Sequence, residues 1–154
     1  MTTLNTTLIQ DFTRNFQKSA ERIHGLVEPL TEDQVWTKPY PYGNSIGNLV
    51  LHLTGNLNFY LGAEIGGTGY ARNRPLEFEP ASRIPKADLL DRFDEAIAIV
   101  AMVLQKQTDT SWGTAYSAKG LEEIGDRLSM VLQCAAHLYH HTGQIMYLVR
   151  ELER

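Results

Sequence analysis

Residues 121–149 read LEEIGDRLSMVLQCAAHLYHHTGQIMYLV. Within them Leu121, Ile124, Leu128, Val131, Ala135, Leu138, Thr142, Ile145 and Val149 alternate steps of three and four, the period of one face of an α-helix. A stripe of that length needs other helices to cover it. Toward the N-terminus, Leu8, Phe12, Phe16, Ile23, Val27 and Leu30 predict a first helix ending near Pro29. Asn44 or Ser45 can cap a second, running from Ile46 through Leu49, Val50, Leu53, Leu57 and Leu61 until Gly62, Gly66, Gly67 and Gly69 end it. A third starts at Lys86 or Asp88 and places Leu89, Phe93, Ile97, Val100 and Leu104 on one face. Residues 31–43, 66–85 and 108–120 are irregular connections, the last with room for a short extended piece. The 66–85 stretch is long for a loop inside a compact domain, and such loops often carry function. Four long helices without strand alternation imply an all-α four-helix bundle, whose facing side chains are the usual place for a metal or ligand.

Composition sets the class. A length of 154 residues fits one domain, residues 1–154, able to bury about two thirds of its unfolded surface. With 43% hydrophobic and 21% charged residues, disordered and low-complexity classes are excluded. The one cysteine, Cys134, rules out a disulfide framework and any cysteine-built zinc or iron–sulfur site. Fourteen basic residues against 18 acidic ones leave no broad basic footprint for nucleic acid. Polar threonines and Asp11 near the N-terminus do not read as a signal peptide, and the longest apolar stretch, Ala96 to Leu104, is about half of a bilayer crossing. A cytoplasmic protein with no membrane or nucleic-acid partner is expected.

The histidines then carry the chemistry. His137 and His141 are four residues apart, so they project from consecutive turns of one helix and can share a metal. His52 lies in the equally apolar second helix, with Asn48 and Asn56 one turn away on either side. Three neutral imidazoles form a facial set for zinc, nickel or iron and leave a position open. Hydrogen-bonded core histidines are the alternative for each residue taken alone. His140 is about 100° round the helix from His141 and reads as a supporting or surface residue; His24 reads as a solvated or helix-packing one. The fourth helix has no H-E-x-x-H, so a zincin is excluded, and a single E-x-x-H spacing, Glu21 with His24, excludes a ferritin-like di-iron centre. Gly66-Gly67-Thr68-Gly69 lacks the spacing of a phosphate-binding loop.

Two segments, 44–56 (NSIGNLVLHLTGN) and 137–145 (HLYHHTGQI), together with the intervening Gly-Gly and Arg-x-Arg-Pro loop, resemble the DinB/YfiT-like superfamily over most of the chain. That resemblance implies up-down-down-up connectivity, a homodimer, and a divalent metal held by His52, His137 and His141. Members with assigned activities use low-molecular-weight thiols in transferase or isomerase reactions. The residues agree with such chemistry: a three-His ion keeps its charge and lowers the pKa of an incoming thiol or water. The expected function is thus a mononuclear metal-dependent enzyme acting on a small molecule with a thiol co-substrate. A hydrolase using water, with Glu77 or Glu79 entering the site, and a non-catalytic metal-binding dimer are the alternatives. Asn48, Asn56, Gln144 and His140 are candidates to orient the imidazoles. Arg72 and Arg74 can bind a carboxylate of the substrate, or pair with Glu77 or Glu79. Cys134 reads as a small buried hydrophobe, and Trp36, Tyr40, Tyr42 and Trp112 as seals of the bundle ends.

Overall fold

A computed structural model describes residues 3–118 and 120–153. Among them run α1 (Leu4–Val27), α2 (Glu32–Trp36), α3 (Ile46–Leu57), α4 (Pro75–Phe78), α5 (Lys86–Gln105) and α6 (Arg127–Leu152), with a π-helical segment, Asn58–Ala63, continuing α3. No named strand occurs among the described residues; one antiparallel bridge joins Ala115 to Asp126.

Local chemistry sets the helix starts. Thr3, Thr31, Ser45 and Asp126 each accept a hydrogen bond from the amide three residues on, and Gln34 and Asn48 complete capping boxes with Thr31 and Ser45. Pro85 before α5 offers no such side chain, and the first amide, of Lys86, donates instead to the Glu32 carboxylate at 3.0 Å. Lys86 Nζ in return donates to the carbonyls of Glu28 and Leu30 beyond α1, at 2.6 Å each. One lysine thus closes α1 while α2 opens α5.

The four long helices pair α1 with α5 and α6, and α3 with α5 and α6. Their directions follow from contacts at the ends. Asn5 Nδ2 donates to the Gln107 carbonyl at 3.3 Å, whereas Lys86 binds beyond the far end of α1, so α1 and α5 run antiparallel. Trp36 packs flat on Gly47 and donates its indole N–H to the Ile84 carbonyl at 3.1 Å, bringing the starts of α3 and α5 together. Tyr116 bonds through its backbone to Gly125 just before α6 and through its hydroxyl to the Tyr60 carbonyl, so α6 begins where α3 ends. The order is up-down-down-up. Parallel α3 and α5 oblige the chain to return along the bundle between them, which is why residues 64–85 form a long crossover.

The first helix stops at Val27, near Pro29 as the sequence predicts. Two other boundaries differ from the sequence reading. The second is α-helical only to Leu57, beyond which the ladder widens to the π form. The fourth begins at Arg127, not Leu121, because Asp126 caps it, while Leu121 and Ile124 pack on the core from the preceding turns. Trp36 and Trp112 are buried at the bundle ends, whereas Tyr42 is 87% exposed, stacked on Tyr40.

His24 joins α1 to α5 through Asp94 at 2.8 Å and bonds Glu28 at 3.1 Å. Burial lowers its pKa, but the two carboxylates outweigh burial and the net shift is upward from 6.5. A raised pKa stabilises the fold below the ordinary value and loses that effect as pH climbs through the raised one. The melting temperature of wild type minus that of His24→Gln should therefore be about 2 °C larger at pH 6 than at pH 8.5. A difference independent of pH would refute the linkage.

Candidate metal centre

His52 projects from α3 toward His137 and His141 on consecutive turns of α6. Nε2 of His137 lies 3.1 Å from Nε2 of His52 and 3.1 Å from Nε2 of His141. The three ligand atoms fall within 4.8 Å of one another. His52 is buried and the other two rings are half-buried.

Each ring's far side explains its orientation. His52 Nδ1 is 2.8 Å from Glu77 Oε2, and because a carboxylate only accepts, Nδ1 carries the hydrogen, so that in the neutral ring Nε2 keeps a bare lone pair. Glu77 is itself held by Arg72, whose Nε and Nη2 donate to its two oxygens at 2.7 and 2.9 Å. The amide of Asn48 donates to the carbonyls of Glu77 and Phe78 at 3.1 and 3.0 Å, fixing the crossover to α3. Gly55 makes room: a Cβ there would overlap Glu77 Oε1. His141 Nδ1 donates to Gln144 Oε1 at 2.7 Å, which leaves its Nε2 bare as well. Nδ1 of His137 is buried with no partner.

The electrostatics favour the neutral form of the two α6 imidazoles. Burial above all, with the charges of neighbouring His141, His52 and Arg72, pushes the His137 pKa down to about 3. Burial also lowers that of His141. Burial raises the Glu77 carboxyl, but hydrogen bonds from His52 and Arg72 outweigh it, so the net shift is downward and Glu77 stays ionised. Two bare nitrogens thus face a third ring that can offer at most one proton between them. A divalent cation satisfies all three lone pairs, and the 3.1 Å from His137 Nε2 to each of the other two suits ligands held ~2.0–2.1 Å from one ion. The residues present fit such a group.

Beside the cluster is a cavity of about 200 Å³ lined by His52 and His137 together with Asn56, Tyr60, Arg72 and Arg74, among others; no carboxylate lines it. Two larger hollows, of about 620 and 510 Å³, lie behind Glu77 and beside Gln144, and neither is lined by one of the three histidines.

The other candidate residues are distributed as follows. Asn48 acts on the crossover and the α3 cap rather than on an imidazole. Gln144 holds His141, and its amide donates to the exposed His140 at 3.3 Å. The Arg72 fork is occupied by Glu77, a buried pair instead of a surface one. Arg74 lies over the Phe78 ring at 5.2 Å, and Phe78 in turn tilts on the His52 ring at 5.0 Å. Glu77 stands behind His52, away from the Nε2 atoms, and Glu79 is exposed. Cys134 is buried, its thiol pKa pushed up by burial. What the sequence reading did not reach is the pairing of Glu77 with His52. Its one sequence signal is Gly55, a glycine inside a buried helix where Ala would be favoured by ~1 kcal/mol, which marks a close approach.

Comparison with known proteins agrees with this architecture. A conserved protein from Enterococcus faecalis, known from its crystal structure, superposes with a TM-score of 0.75 at 16% identity, over 93% of this chain and 95% of that one. Among curated proteins no match was found. The family profile of the DinB superfamily matches residues 15–145, which take in α3, α5, most of α1 and α6, and the three histidines; the chain belongs to the DinB superfamily.

Proposed function

We propose that the protein is a mononuclear divalent-metal enzyme that uses a small thiol as nucleophile in an S-transfer or isomerisation reaction. The observation that carries this reading is a three-imidazole set beside a cavity whose lining contains no carboxylate. Held by three neutral imidazoles, zinc, nickel or iron supplies full positive charge and lowers the pKa of a thiol that joins it. The chain's own residues do the rest. Glu77 and Gln144 fix the His52 and His141 rings with their Nε2 lone pairs turned inward. Met130, Cys134 and Leu121 give the cavity an apolar side. Glu77 is committed to His52 and Arg72 and is not free to act as a base for water, whereas a metal-bound thiol needs no such base. A structural ion ordinarily takes four protein ligands, one more than this cluster offers among the described residues.

The test is to load untagged protein with zinc, nickel or ferrous ion and screen thiols against electrophiles. Thiol-dependent turnover that vanishes with chelator is expected. Hydrolysis of esters or amides at the same rate without thiol would overturn the reading in favour of a hydrolase.

A further inference from the structure

From residue 70 to residue 84 the crossover is tied to α2 and α3 but not to α5. Asn48 binds the carbonyls of Glu77 and Phe78, and Trp36 binds that of Ile84, whereas no hydrogen bond joins residues 70–84 to α5 among the described residues. Between them lies the hollow of about 620 Å³, a volume within the ~300–1,000 Å³ of small-molecule sites. Its walls leave apolar surface uncovered: Leu51, Ile84 and Ile99 are half-buried, and Leu76 is 48% exposed. On α5 the rim carries one charge of each sign. Arg92 and Glu95 are three residues apart, hence on one face of the helix, and neither forms an ion pair or a side-chain hydrogen bond among the described residues. Gly55 and Glu77 complete the wall, so the residue that holds the His52 ring also borders the hollow.

We infer that this hollow is an effector site for an α-amino acid with a large apolar side chain, separate from the cavity beside the histidines, and that its occupant tightens the metal centre through Glu77; the coupling rests on the metal reading above. Leu51, Leu76, Ile84 and Ile99 take the side chain, and covering their apolar surface supplies the attraction. The head group is set by the rim. A simple anion meets Glu95 and a simple cation meets Arg92, whereas a zwitterion gives its carboxylate to the guanidinium and its ammonium to the carboxylate. Seated there, the ligand joins the crossover to α5, a connection the chain itself does not make. Arg72 and Glu77 both lie on the crossover, so steadying it steadies the His52 ring. By reciprocity, a bound ion raises the affinity for the amino acid by the same factor.

Calorimetry on metal-free protein compares L-phenylalanine with hydrocinnamate, which lacks the ammonium, and with phenethylamine, which lacks the carboxylate. L-Phenylalanine should bind about tenfold more tightly than either. Arg92→Gln should erase its advantage over the amine, Glu95→Gln its advantage over the acid, and Leu76→Ser should weaken all three ligands. These side chains are exposed, so the fold should be unaffected. Zinc-loaded protein should bind L-phenylalanine about fivefold more tightly than metal-free protein. Equal affinity for the three compounds, or a preference for the amino acid that survives Arg92→Gln, would overturn the effector site. Tight binding to the zinc-loaded form that Arg92→Gln leaves undiminished would mean that the ion itself takes the amino acid, and would overturn the coupling, as would equal affinity in the two metal states. Protein that takes up no zinc would overturn the metal reading and the coupling with it, while the metal-free titrations still decide the hollow.

Discussion

Purified His137→Ala protein is expected to lose stoichiometric divalent metal, its affinity falling on the order of a thousandfold. His137 is the middle ligand, 3.1 Å from each of the others, so its removal leaves one nitrogen on α3 and one on α6 with nothing between them. The fold should tolerate the change. His137 makes no hydrogen bond at Nδ1, and its pKa of about 3 means that it opposes folding in acid: between pH 3 and 6.5 the unfolded chain binds a proton that the folded chain refuses. Metal-free wild type should therefore lose stability as pH falls below 6.5, and metal-free His137→Ala should lose less. Elemental analysis of untagged protein checks the first expectation, and melting curves in chelator from pH 7.5 to 5 check the second. About one ion per chain in the variant would refute the assigned ligand set.

Glu77→Ala should have the largest effect on the fold, lowering stability by about 3–5 kcal/mol, because it leaves the Arg72 charge buried without its partner. For a domain of this size that is a drop of roughly 10 °C in melting temperature. Glu77 is 6% exposed and bonded through both oxygens, so no water can replace it cheaply. Adding Arg72→Leu to Glu77→Ala should recover part of the loss by removing the stranded charge, and the double-mutant cycle measures how much. Gly55→Ala should reproduce the defect without altering any charged group, since its methyl displaces the carboxylate. Glu77→Gln keeps the shape but also removes the anion that pairs with Arg72, so it should lose part of the same stability and, through a poorly oriented His52, weaken metal binding by about 10–100-fold. If Gly55→Ala melts with wild type, the carboxylate is not seated as described.

Helical periodicity made the bundle and its three inward histidines legible, because i,i+4 spacing and an apolar stripe are properties of one segment read alone. Glu77 was a candidate for a different task, as base for water. Its bond to His52 spans 25 residues through a crossover with no period, and only the course of the backbone decides on which side of the ring it arrives. The false start of the last helix has a related cause. Leu121 and Ile124 keep a three-residue step because turns, too, must cover the core, and spacing alone does not separate a covering turn from a covering helix. The π segment after Leu57 was invisible for the reason that its residues, Asn58 to Ala63, suit an ordinary helix equally well.

His52 and His137 are 85 residues apart, one on each side of the long crossover. An unfolded chain cannot offer those nitrogens together, so native protein would bind an ion far more tightly than denatured protein, and the difference would enter the folding equilibrium by mass action. Free ion at a hundred times its dissociation constant is worth about 2.7 kcal/mol of stability, a sizeable share of the ~5–15 kcal/mol that holds a domain together. Divalent-metal supply would in this way govern how long the chain escapes proteolysis, making abundance as well as activity a function of metal status.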